Sequence, residues 1–243
     1  MDRIRKKCWR YKEQILGCVM GALILCCAFA VGREVARYTD ADGIWVQEKK
    51  YCVVIDAGHG GDDPGKVGIN DALEKDINLK IAERLQALLE AQDIEVIMTR
   101  ETEDGLYDAG ASNKKVQDMK RRIEIIDEAS PVITVSIHQN SYPEEYVHGA
   151  QVFYYTGSAE GKRLADTLQE TLITMVDPEN TRVSKANDSY YLLKKTGTPI
   201  VIVECGFLSN YAEAEKLVAE EYQEKIAWAL HMGILRYLNG TDE

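Results

Sequence analysis

Two histidines and two glutamates stand out in this 243-residue chain as side chains that could do chemistry together. His59 sits among glycines just after the β-branched run of VVIDAGHGG (53–61). His138 closes VITVSIHQN (132–140), Glu204 closes the apolar run in IVIVEC (200–205), and Glu74 precedes a stretch with helical periodicity. Taken singly, each has an ordinary explanation. A histidine after a strand is commonly a hydrogen-bonded structural residue, Glu204 could be a surface acid, and Glu74 could be a first-turn carboxylate favoured by the helix dipole. Their convergence is what changes the reading. In open parallel sheets, sites form at the carboxyl ends of the strands, and two of only four histidines fall there. The others, His148 and His231, lie in a loop and in a predicted helix, where structural or surface roles suffice.

Two imidazoles and one carboxylate suit a catalytic zinc site, with water as the fourth ligand. Such a metal lowers the pKa of its water from about 15.7 to roughly 7. A second carboxylate can then act first as general base and later as general acid. These four residues therefore cover the needs of amide hydrolysis, although spacing leaves open whether Glu74 or Glu204 binds the metal. Glycines at 58, 60, 61, 65 and 68 remove bulk and permit unusual backbone angles, so the loop can present His59 to a metal and fold Glu74 back toward it. Asp56 could orient a ligand imidazole from behind or could cap the loop. No HExxH, GxxxxGK[ST] or GxSxG motif is present, and Gly58, Gly60 and Gly61 do not form a dinucleotide fingerprint.

The elements that must position these residues alternate between apolar runs and helical patterns. Strands are expected at 51–56, 94–99, 132–137, 150–155 and 200–205. Helices are expected at 75–92, with Asn70 and Asp71 as possible caps, and at 116–128, with Val116, Met119, Ile123 and Ile126 on one face. Two more are expected at 158–176 and from Tyr211 to Leu238, and residues 100–115 read as a polar loop. Strand runs that are apolar throughout fit burial on both faces, which implies an α/β domain with a mostly parallel, helix-covered sheet.

Charge and the N-terminus set the surroundings. The chain carries a net charge of −11, yet its first 32 residues hold six basic and two acidic side chains. The remainder is therefore at −15, which argues against a nucleic-acid partner. Residues 1–14 read as a basic cytoplasmic tail. Residues 15–32 are uncharged over 18 positions, enough to span a bilayer as a helix with the body outside. The rival reading is a signal peptide cleaved after Ala28-Phe29-Ala30. Residues 33–50 read as a stalk and 51–239 as the folded domain. Of six cysteines the body keeps only Cys52 and Cys205, which is no disulfide framework and no metal-binding pair. Both behave as small apolar residues in strands.

The motifs DAGHGGDDPGKVG, LEKDINL, SIHQN and VIVECGFLSN occur in an order that resembles the zinc-dependent N-acetylmuramoyl-L-alanine amidases, the amidase-3 family. The resemblance runs from Tyr51 to Leu238. It implies that His59, Glu74 and His138 bind one zinc ion, that Glu204 is the catalytic acid/base, and that the central sheet has about six strands. The segments DMKRRIEIID, SYYLLKKTGTP and YQEKIAWALHMGILRYL resemble the sporulation-type, cortex-modifying members of that family. This implies a peptidoglycan substrate, a membrane-anchored catalytic domain facing outward, and action on spore cortex. It further implies a linked deacetylase in formation of muramic-δ-lactam, and room for an accessory activator protein. Ala57 stands where a proline is common and Ser141 where an alanine is common; neither removes a proposed ligand. Two alternatives remain: a zinc carboxypeptidase acting on stem peptides, and an inactive membrane-tethered wall-binding module.

Overall fold

In the computed structural model residues 20–31 and 51–240 are described, and the chain divides after Lys49 into two units. In the first unit residues 20–31 form a helix, α1. Among the described residues no helix is long and apolar enough to cross a membrane. The expected tail (1–14), the stalk (33–50) and the rest of the apolar segment (15–19 and residue 32) lie outside the described residues.

The second unit is a six-stranded sheet covered by helices. Its strands are β1 (Cys52–Ala57), β2 (Glu95–Met98), β3 (Ile133–Asn140), β4 (Gln151–Tyr155), β5 (Lys185–Asn187) and β6 (Ile200–Phe207). The helices are α2 (Glu74–Glu90), α3 (Lys114–Ala129), α4 (Ala159–Met175), α5 (Tyr191–Lys195), α6 (Tyr211–Leu217) and α7 (Glu220–Leu238). Strand order is β2-β1-β3-β6-β4-β5, with all pairs parallel except β4 with β6. The α/β class, the single folded domain and the mostly parallel sheet of about six strands are as expected.

Successive side chains of a strand point to opposite faces, and here the two faces differ in character. Val53, Ile55 and Ala57 of β1, Ile133, Val135 and Ile137 of β3, and Val201, Val203 and Cys205 of β6 enter the larger core, which α2, α4 and α7 complete. The alternate residues face a smaller core with α3 and α5, where Val54, Ile200 and Ile202 meet Ile126, Leu192 and Leu193. The same parity places Asp56, Ser136, His138 and Glu204 on the α3/α5 side, so the sheet becomes polar there toward its carboxyl edge.

Several local expectations are corrected. α2 starts at Glu74, and its N-cap residue Leu73 offers no side-chain cap; the Asn70 side chain instead accepts a bond from the Ala72 N–H inside the loop. The polar loop after β2 ends earlier, because Asn113 caps α3 by accepting from the Val116 N–H at 3.1 Å. Val116 itself is exposed rather than inward-facing. The tail is two helices, since Val218 and Ala219 part α6 from α7. β5 and α5, only three and five residues long, occupy what reads as a loop because neither is long enough to show a period.

Candidate metal centre and cleft

β1 and β6 flank β3 in the sheet, and the site grows from the carboxyl ends of these three strands. His138 lies in register with Glu204 on the adjacent strand. The chain leaves β1 through Gly58 into His59, whose φ of 63° is in the left-handed region, a conformation that costs about 1–2 kcal/mol for a side-chain-bearing residue. Two buried arginines hold this turn. Arg122 of α3 donates to the carbonyls of Ala57 (2.8 Å) and His59 (2.6 Å), and Arg100 donates to those of Ala57 (2.8 Å) and Gly58 (3.1 Å). Glycine is required at two positions. A Cβ on Gly58 would lie 2.3 Å from the His138 ring, and one on Gly65, at φ 69°, would lie 2.5 Å from Glu74 Oε2.

Glu74, the first residue of α2, is only 2% exposed. Its Oε1 receives His59 Nε2 at 3.2 Å, His138 Nδ1 at 3.0 Å and the Gln139 N–H at 3.0 Å. Its Oε2 accepts from the Lys66 N–H at 2.7 Å. Burial alone would raise the Glu74 carboxyl pKa, but hydrogen bonds and charge from the two imidazoles outweigh it and hold the group far below the usual range. His59, Glu74 and His138 each offer one ligand atom, all within 4.8 Å of one another. Donors bound at about 2.0–2.2 Å in a tetrahedron stand roughly 3.3–3.6 Å apart, so a cluster this tight fits a small divalent cation.

Glu204 stands beside this cluster at the end of β6, 7% exposed. Tyr190 Oη lies 3.4 Å from its Oε1, while Oε2 is buried with no partner. Burial pushes its pKa up; His138 opposes, Glu74 adds to the rise, and the result is about 7. A carboxyl poised near neutrality at the edge of a cleft is suited to taking and returning a proton. The cleft, about 430 Å³, is lined by His59, His138 and Glu204 and walled by α3 and by Tyr190, Tyr191 and Leu192.

All four residues singled out from the sequence thus meet at one place. Asp56 is engaged elsewhere: its carboxylate accepts from Arg122 (2.6 Å), Thr99 (2.7 Å) and Ser136 (2.5 Å), beneath the site. Burial would raise its pKa, but the Arg122 guanidinium and the two hydroxyls hold it at about 2. The residues missed by sequence reasoning are Arg122, Arg100, Asp63 and Tyr190. Arg122 carries a legible signal, for it is a basic residue four positions from Asp118 and one turn before the inward-facing Ile126. His231 is buried in α7 against Trp228, and His148 lies exposed in the β3–β4 loop.

A mostly parallel sheet with a half-buried His–Glu–His cluster and a neighbouring carboxyl over a cleft is an arrangement suited to a metal-dependent hydrolase. Residues 53–236 match the family described as N-acetylmuramoyl-L-alanine amidase, and the chain belongs to that family. The germination-specific N-acetylmuramoyl-L-alanine amidase of Bacillus subtilis is 38% identical over 188 residues, 76% of this chain and 78% of that protein. Among solved structures, the CwlD amidase of Clostridioides difficile, in complex with the GerS lipoprotein, is 41% identical with a TM-score of 0.77, covering 79% of this chain and all of that one. A second amidase, from Clostridium difficile 630, is 31% identical with a TM-score of 0.69 over 78% of this chain and 97% of that one.

Proposed function

We propose that this protein hydrolyses the amide bond joining the lactyl group of N-acetylmuramic acid to L-alanine in peptidoglycan, with His59, Glu74 and His138 holding one zinc ion and Glu204 as the catalytic residue. The observation that carries this is the meeting of the three ligand-bearing side chains with the free carboxyl of Glu204 at one end of the cleft. Zinc, when bound, supplies a Lewis acid that makes water acidic and offsets negative charge on the scissile carbonyl oxygen. Glu204 removes a proton from the attacking water through its unpartnered Oε2 and then delivers it to the departing L-alanine amine. The walls of α3 and α5 limit access of bulk water around that carboxyl, which keeps its proton affinity near neutral.

The setting proposed is the spore cortex, where freed muramic acid residues would pass to a deacetylase and close to muramic-δ-lactam. The germination-specific relative from B. subtilis supports this reading. That the CwlD amidase was solved with the GerS lipoprotein supports an accessory protein partner here too. The uncharged segment 15–32 with its basic flank supports a membrane anchor that leaves the catalytic domain outside.

The test is digestion of purified peptidoglycan with and without added zinc, followed by mass spectrometry of the soluble products. Intact stem peptides bearing a free L-alanine amine are expected only with zinc. Release of single C-terminal residues would establish a carboxypeptidase instead, and binding without release would establish an inert wall-binding module.

A further inference from the structure

The GHGGDD loop contains a carboxylate whose position is not explained by holding the loop alone. Asp63 follows a tight turn in which Gly60 and Asp63 exchange backbone hydrogen bonds, both at 3.1 Å. Its Oδ1 accepts from the Gly65 N–H at 3.1 Å, which is local and structural. Its Oδ2 lies 3.1 Å from Nδ1 of His59, on the opposite side of the ring from Glu74. Lys115 Nζ stands 3.8 Å from the same oxygen and is highly exposed.

The chemistry of this pair is directional. An ionised carboxylate only accepts hydrogen bonds, so His59 Nδ1 must carry the proton that joins them. In a neutral imidazole the other nitrogen then has a lone pair and no hydrogen. That nitrogen, Nε2, is the one 3.2 Å from Glu74 Oε1. A cation held between Nε2 and Oε1 would replace the proton that otherwise joins them, while the Nδ1–H stays on Asp63. We infer that Asp63 is a positioning residue for the metal centre: it fixes the His59 tautomer and ring orientation so that Nε2 is presented, with Glu74, to a cation. This rests on the zinc-ligand reading proposed above, and extends it to a residue outside the ligand set. Carboxylates behind ligand histidines commonly change metal affinity by 10–100-fold when removed.

The discriminating substitution is D63N. An asparagine whose carbonyl oxygen keeps the Gly65 N–H bond turns its NH2 toward His59. That arrangement favours a lone pair on Nδ1 and a hydrogen on Nε2, the wrong tautomer for ligation. Zinc affinity of the full-length protein would be measured by chelator competition for the wild type, D63N and H59A, with the melting temperature of each zinc-free protein. D63N is expected to weaken zinc binding by roughly 10–100-fold, with a zinc-free melting temperature matching the wild type. Affinity within twofold of the wild type, while H59A loses zinc, would overturn the role of Asp63 alone. A D63N loss of affinity matched by a lower zinc-free melting temperature would reduce Asp63 to a loop-holding residue. If H59A binds zinc like the wild type, the ligand reading falls and this inference falls with it.

Discussion

Glu204 and Glu74 are the same residue type a short distance apart, and their environments drive them in opposite directions. Both are buried, which disfavours charge in each. Glu74 receives two imidazoles and two backbone N–H groups, so its charged form wins. Glu204 receives only a long contact from Tyr190 and keeps one oxygen bare, so burial wins and its pKa rises to about 7. That division supports the assignment of Glu74 to the metal and Glu204 to proton transfer. E204Q is therefore expected to bind zinc as the wild type does while kcat falls by about 10²–10⁴-fold, the usual worth of a general acid/base. Steady-state release of stem peptides beside a zinc-content assay checks it. Near-normal turnover in E204Q would mean that another group is the base.

At the scale of elements, the site depends on α3 reaching under β1. Arg122 is fully buried; it bonds Asp118 at 2.6 Å within its own helix, Asp56 at 2.6 Å on β1, and the carbonyls of Ala57 and His59. Burial alone would lower the Arg122 pKa, but Asp56 and Asp118 raise it well above the ordinary guanidinium value. This one side chain fastens helix, strand and left-handed turn together, so the strain at His59 is held by tertiary contacts rather than local preference. Removing one member of a buried charge network leaves the others uncompensated, typically costing 3–5 kcal/mol. R122L should destabilise the protein by about that amount in denaturant unfolding. Replacing Asp56, Asp118 and Arg122 together by apolar residues should cost less than R122L alone. An R122L variant with unchanged stability would show that the network is not coupled to the fold.

For the whole molecule, two linkages follow. Asp56 has a folded-state pKa of about 2 against an ordinary value of 3.8. Its folded pKa is depressed, so its contribution is fully present above about pH 5 and is lost as pH falls through 3.8 toward 2. The shift corresponds to about 2 kcal/mol. Between pH 5 and 2 the wild type should lose about that much more unfolding free energy than D56N, whereas parallel profiles would contradict the pairing. Zinc is the second linkage. Its proposed ligands come from the β1–α2 loop, the start of α2 and β3, so bound zinc ties three elements that the unfolded chain separates. At a free zinc concentration 100-fold above Kd, binding adds about 2.7 kcal/mol of stability. Chelation should lower the melting temperature of the wild type and leave that of H59A unchanged.

The amino-acid sequence alone determined the α/β class, the long strands and helices, and the four residues that meet at the site. The reason is physical: apolar runs and helical periods report burial locally, and parallel strands must deliver their last residues to one edge. It could not give β5 or α5, which are shorter than any period, or the break between α6 and α7, where two helical patterns join without a glycine or proline. Only the tertiary structure decided what lies behind the proposed ligands. Asp56 and Asp63 are both acids near His59 in the chain, seven residues apart. Strand parity points Asp56 down to Arg122, while the Gly60–Asp63 turn brings Asp63 back against the imidazole. Such roles depend on angles at a left-handed turn and on an arginine 63 residues from the carbonyl it holds, and neither is encoded in the spacing of residue types.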